Sequence, residues 1–141
     1  SGVNLFEMSA KGLYGLSAVY ELAINYYKGH IQIKQIAETH SIPQHYLEQL
    51  LVTLKKSGIV KSFRGKEGGY ALALRPGEIK VIDILECLEG NLQLINDQSK
   101  ENVLNLFWNN LKNTIKDKLN MSLSELIIEK QKSDKQVIYN I

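Results

Sequence analysis

The residues able to do covalent or metal chemistry are few in this chain, and their spacing assembles no site. His40 and His45 are five residues apart, so they miss the i, i+4 spacing of a helical zinc pair, and the third histidine is the distant His30. The single cysteine, Cys87, excludes an internal disulfide and any metal or cluster site that needs several thiolates from one chain. Asp83, Glu86 and Glu89 recur at helical spacing, where surface carboxylates are ordinarily solvated. Gly65, Gly68 and Gly69 resemble a phosphate loop only in composition. No Gly-Lys-Ser/Thr follows them, and the next pattern is a strand instead of a helix. The expectation is a protein that is not an enzyme and holds no cofactor and no metal.

What the chain does group is recognition chemistry, in residues 41–75. Leu47, Leu50, Leu51 and Leu54 recur on one helical face, which leaves Gln44, His45, Gln49, Thr53 and Lys56 largely off it. Amide and imidazole groups carry the donors and acceptors that base edges pair with. Two β-type runs follow, at 59–63 and 70–74, joined by a charged, glycine-rich tip that carries Arg64 and Lys66. A helix followed by a basic hairpin is the reading half of a winged helix-turn-helix. The helix suits a major groove, and the hairpin suits the adjacent backbone or minor groove.

The elements that must position this pair read clearly on either side. Ser9 caps a helix expected over 9–27, with Leu13, Leu16, Val19, Tyr20 and Ala23 at helical spacing. Gly12 and Gly15 disfavour a helix, so they mark a close approach, to a neighbouring element or to a phosphate. Lys11 and Tyr14 beside them are candidate phosphate contacts. Residues 28–32 break the pattern, with Ile31 placed as a short strand against the wing. A short helix follows through Ile33, Ile36 and Ala37, and Ser41-Ile42-Pro43 makes the turn, because Pro43 disfavours the helical region for Ile42. Gly58 ends the recognition helix.

Beyond the wing, 80–89 form a short amphipathic helix stopped by Gly90, with Cys87 among apolar neighbours that predict burial. Oxidation or modification of that thiol is the secondary possibility. Residues 101–119 carry a broad apolar stripe of Leu104, Trp108, Leu111 and Ile115, widened by Val103 and Phe107. That is more than a small headpiece needs, and it points to packing against a second copy. A further short helix is expected at 122–130, followed by a tail ending in Val137, Ile138, Tyr139 and Ile141. The division is a headpiece at 4–78 and a helical dimerisation and regulatory region at 79–141. Charge divides similarly: residues 1–80 hold ten Lys/Arg against six Asp/Glu, and 81–141 hold seven against nine. No apolar run approaches the membrane-spanning length of about 18 residues, so a soluble, cytoplasmic protein is expected.

In order along the chain, SAKGLYGL, QIAETHSIPQHYLEQLLVTLKKSGIVKSFRGKEGGYALAL and VIDILECLEG resemble the Rrf2 family of bacterial transcription regulators. The likeness is close over about 6–90 and looser beyond. It implies a mainly α fold with a small β wing: a winged helix-turn-helix headpiece and a long C-terminal helix that builds a symmetric dimer. It also implies double-stranded DNA as partner, at a near-palindromic operator, and control of sulfur, iron–sulfur or redox genes, often by repression.

Carried over by position, the resemblance makes Ser9, Lys11 and Tyr14 backbone contacts and Gln44, His45, Tyr46 and Gln49 the groove-facing set. Arg64, Lys66, Gly68, Gly69 and Tyr70 match the wing. Family members with an iron–sulfur cluster carry three cysteines after the Leu-Glu-Gly, where this chain has NLQLINDQSKENVLNLFW and none. The chain is therefore most similar to the cluster-free branch, whose cysteine-metabolism repressor takes the cysteine-synthesis enzyme O-acetylserine thiol-lyase as corepressor. The rival reading is a winged-helix protein-protein module that binds no DNA.

Overall fold

The computed structural model describes residues 7–93, 95 and 98–139. Helix α1 (Ala10–Ile24) begins at Ser9, whose side chain accepts the Lys11 N–H. It ends earlier than the apolar spacing suggests. Asn25 donates its side-chain amide to the Glu21 carbonyl at 2.9 Å, which competes with the next helical bond. One 3-10 turn, Tyr26–Lys28, then leads to Gly29 at φ 88°.

Helices α2 (Ile33–His40) and α3 (Gln44–Lys56) form the helix-turn-helix. Their turn works without glycine because Ser41 itself takes the left-handed conformation, at φ 54°. Ile42 N–H then closes back on the Ala37 carbonyl at 2.9 Å. Gly58, at φ 79°, ends α3.

Strands β1 (Val60–Phe63) and β2 (Gly69–Leu72) pair antiparallel, with Val60 opposite Leu72 and Phe63 opposite Gly69. Ile31 adds a third short rung through two bonds with Tyr70, of 2.8 and 2.9 Å. The wing is thereby tied to the segment between α1 and α2, as Ile31 was expected to do.

Helix α4 (Val81–Glu89) starts with Asp83 accepting the Lys80 N–H at 3.0 Å, which gives that carboxylate a capping role. Helix α5 (Asn102–Leu119) is followed by α6 (Leu123–Tyr139), whose first turn is closed by reciprocal bonds between Ser122 and Glu125. The sequence pattern stops α6 near Lys130, yet the helix runs on. Its polar stretch contains good helix formers and no Gly or Pro, and a Lys130–Asp134 pair at 2.7 Å bridges one turn. Tyr139 thus ends a helix, Val137 and Ile138 are exposed on it, and Ile141 lies outside the described residues.

The core joins both halves of the chain: Val19 and Leu22 of α1, Ile36 of α2, Leu47, Leu51 and Leu54 of α3, Ile84 of α4 and Leu123 of α6. Each such aliphatic side chain contributes about 1.5–3 kcal/mol by leaving water. Two backbone bonds, Val81 N–H to Met121 and Leu123 N–H to Ile79, clip the start of α6 to the start of α4.

Among the described residues one charged side chain is buried. Glu21 is 7% exposed, and its carboxylate accepts hydrogen bonds from His40 at 2.9 Å and from Asn25 at 2.8 Å. His40→Ala leaves that carboxylate under-satisfied. The expected result is a loss of about 1–3 kcal/mol in urea unfolding with the slope unchanged. An unchanged midpoint would show that the pair contributes no net stability.

Candidate nucleic-acid interface

Helix α3 presents two faces. Leu47, Leu50, Leu51 and Leu54 are buried, while Gln44, His45, Gln49, Thr53 and Lys56 are exposed. His45 and Gln49 lie one turn apart, and their ring and amide nitrogens approach to 3.5 Å. That contact is long and solvent-exposed, so base edges can replace it at little cost. Tyr46 differs from the other three groove candidates. It is half-buried and meets Tyr14 of α1 edge-to-face at 5.8 Å, so it links two helices.

The hairpin stands beside this face. A cleft of about 400 Å³ runs between the wing and the first turns of α2 and α3, lined by Lys34, Gln44, Arg64, Lys66 and Tyr70 among others. Among the described residues, Lys34, Arg64 and Lys66 have no acidic partner within ion-pair distance. Three uncompensated cations on one cleft favour an anion such as a phosphate. Lys34 was missed in the sequence. Its only signal there is a Lys in the first turn of a short helix, which commonly means a solvated surface.

Two of the wing glycines are required by close approach. A Cβ on Gly69 would sit 2.2 Å from the Ile31 carbonyl oxygen, and one on Gly68 would sit 2.2 Å from that of Phe63. His30, without an assigned role in the sequence, stacks on Phe63 at 4.7 Å and donates to the Glu67 carbonyl at 2.6 Å, bracing the tip. Lys55 donates to Ser62 at 2.6 Å and ties the end of α3 to β1.

At the start of α1, Lys11 is exposed and Tyr14 half-buried. The Ser9 hydroxyl donates to the carboxylate of Glu89, which also accepts the Gly12 N–H at 2.9 Å. The Ser9 hydroxyl holds the Glu89 carboxyl below its ordinary value of 4.5, and the Gly12 N–H and the charge of Lys11 add to this, against an opposing push from burial. Because the folded value lies below the unfolded one, the contact stabilises fully above pH 4.5 and is lost as pH falls through the depressed value.

Farther from the wing, α5 has no buried residue. Leu104 is exposed, and Trp108, Leu111 and Ile115 are half-buried. Cys87, expected to be buried, is half-buried instead. It lies at the edge of the α4 apolar stripe whose centre is Ile84 and Leu85, and its thiol donates to the Ser57 hydroxyl at 3.0 Å, at the end of α3.

Comparison with known proteins agrees with this fold. Residues 8–129 match the family model of Rrf2, described as an iron-dependent transcriptional regulator. The chain is 36% identical over 120 residues to the regulator CymR of Bacillus subtilis, covering 84% of this chain and 87% of that protein. The solved structure of B. subtilis CymR, described as its global cysteine regulator, superposes with a TM-score of 0.79 over 86% of this chain and 95% of that one. The structure of T. potens IscR gives 0.75 at 38% identity, covering 91% and 90%.

The family description names iron, which in a cluster is held by several thiolates. The chain has one cysteine, and among the described residues no group of three or more His, Cys, Asp or Glu could hold a metal ion. Two of its histidines are engaged elsewhere, His30 with Glu67 and His40 with Glu21. No described helix is long and apolar enough to cross a membrane. With the helix-turn-helix, the wing and these matches together, the chain belongs to the Rrf2 family of winged-helix transcriptional regulators and is not an enzyme.

Proposed function

We propose that this regulator is a homodimeric repressor that reads a near-palindromic operator and controls genes of cysteine or sulfur metabolism. The observation that carries the DNA reading is the exposed polar face of α3 beside a cleft with three unpaired cations. Gln44, His45 and Gln49 read base edges, while Lys34, Arg64, Lys66 and Lys11 hold the backbone. Two copies joined through α5 set their recognition helices about 34 Å apart, one turn of DNA. The sulfur assignment rests on similarity to a global cysteine regulator and on a single cysteine that leaves no thiolate set for a cluster. Control then falls to a partner, a small molecule or modification of Cys87, and a cysteine-biosynthetic enzyme acting as corepressor is the partner favoured by that similarity.

The division of labour is testable by fluorescence anisotropy on operator and scrambled duplexes. Arg64→Ala weakens both to a similar degree and lowers the salt slope by roughly one. Gln49→Ala costs the operator about 1–3 kcal/mol and the scrambled duplex much less. Equal losses on the two duplexes for Gln49→Ala would remove it from base reading.

A further inference from the structure

The last turn of α4 holds Glu86 and Glu89 and no basic residue, although a helix C-terminus repels negative charge. For Glu89 the repulsion is offset across the interface. Its carboxylate lies at the N-terminus of α1, where negative charge is favoured, and binds the Ser9 hydroxyl and the Gly12 N–H. Helix α1 is notched to admit it. A Cβ at position 12 would lie 2.8 Å from the Met8 sulfur and 2.9 Å from the Glu89 carboxylate, and one at position 15 would lie 2.0 Å from Leu88. Gly15 thus serves the docking of α4, and Gly12 leaves room for both Glu89 and Met8.

Two first-turn amides of α1 are occupied, Lys11 N–H by Ser9 and Gly12 N–H by Glu89. For a phosphate α1 offers the Lys11 ammonium and the Tyr14 side chain, whose ring leans on Tyr46 of the recognition helix. Immediately after Glu89, Gly90 at φ 85° turns the chain out of α4 on its way to α5.

We propose that Glu89 is a positioning residue for DNA binding: its carboxylate fixes the first turn of α1, so that the docked end of α4 sets how Lys11 and Tyr14 meet the DNA backbone. Glu89 touches no DNA itself. It makes the pose of α1 depend on where α4 ends, which connects the headpiece to the region carrying α5. This inference rests on the DNA-binding reading above.

The test is full-length Glu89→Gln, Lys11→Ala and the double variant, titrated with operator and scrambled duplexes from low to moderate salt. Circular dichroism establishes that each is folded at the assay temperature. Wild-type preference for the operator tests the DNA reading separately from this one. Glu89→Gln is expected to weaken operator binding several-fold and lower the salt slope by roughly one, as if the Lys11 contact were lost. Lys11→Ala should then add little in the double variant. Gly12→Ala, which presses on the carboxylate and on the Met8 sulfur but keeps every charge, should weaken binding in the same direction and supplies the answer if Glu89→Gln does not fold. Unchanged or tighter operator binding in folded Glu89→Gln, full additivity with Lys11→Ala, or an unaffected Gly12→Ala each overturns the proposal. Tighter binding would mean that the carboxylate only repels DNA.

Discussion

Leu104→Asp is expected to convert the protein from dimer to monomer and to lower affinity for a two-half-site operator by a factor on the order of 10²–10⁴. The reason is the surface that α5 leaves open. Val103 is 70% exposed, Leu104 49%, Leu106 61% and Phe107 56%, and Phe107 also sits edge-on to Trp108 at 4.9 Å. An exposed apolar patch of this kind marks a contact surface, and a second copy is the occupant proposed here. In the dimer the new carboxylate is desolvated without a partner, which costs several kcal/mol. Because Leu104 is half exposed in the single chain, the same charge disturbs little of that chain's own core. Loss of the dimer then removes the linked second half-site, so DNA affinity falls with it. Sedimentation velocity checks the first step. A dimer intact at low micromolar protein would place α5 outside the interface.

Gly69→Ala is expected to unseat the wing. The added methyl would enter at 2.2 Å from the Ile31 carbonyl oxygen and 2.9 Å from the Gln32 nitrogen, both backbone atoms that cannot rotate away. Relief requires β2 to move off Ile31 and to break the two bonds with Tyr70. At about 1 kcal/mol each, with strain added, the loss should be about 2–4 kcal/mol. It should lower the urea midpoint and reduce operator affinity at least tenfold, because Arg64 and Lys66 ride on that hairpin. Gly65→Ala is the useful contrast. Its Cβ meets nothing within 4 Å, so any cost comes from the positive φ of 113° alone. Equal effects from the two substitutions would contradict a steric seat at Gly69.

The helix-turn-helix and wing were legible because period and punctuation agree there. Leucines at helical spacing end at a left-handed glycine, Pro43 marks the turn, and alternating runs flank a glycine-rich tip. Ile31 could be placed against the wing for the same local reason. The turn conformation of Ser41 was not legible, since a serine at positive φ carries no pattern of its own. Helix α6 was read short because the apolar stripe stops at Lys130 while the helix continues on propensity and an ion pair. The polar contacts that cross the fold were the least visible. Glu21 with His40 and Ser9 with Glu89 join residues 19 and 80 positions apart, and one sequence offers no means of pairing them. For Gly12 and Gly15 the sequence left two readings open, a neighbouring element or a phosphate; Gly15 packs on Leu88 of α4, and Gly12 on Glu89 of α4 and on Met8.

The most direct measurement is selection of bound duplexes from a random pool by the untagged, full-length protein, followed by anisotropy on the enriched sequence at several salt concentrations. The account predicts an inverted repeat whose half-sites lie one helical turn, about 10 base pairs, apart, bound by one dimer. Affinity should exceed that for scrambled DNA by at least a thousandfold, with a steep salt dependence. No enrichment by folded, dimeric protein at low salt, or enrichment of single half-sites bound by monomers, would contradict it.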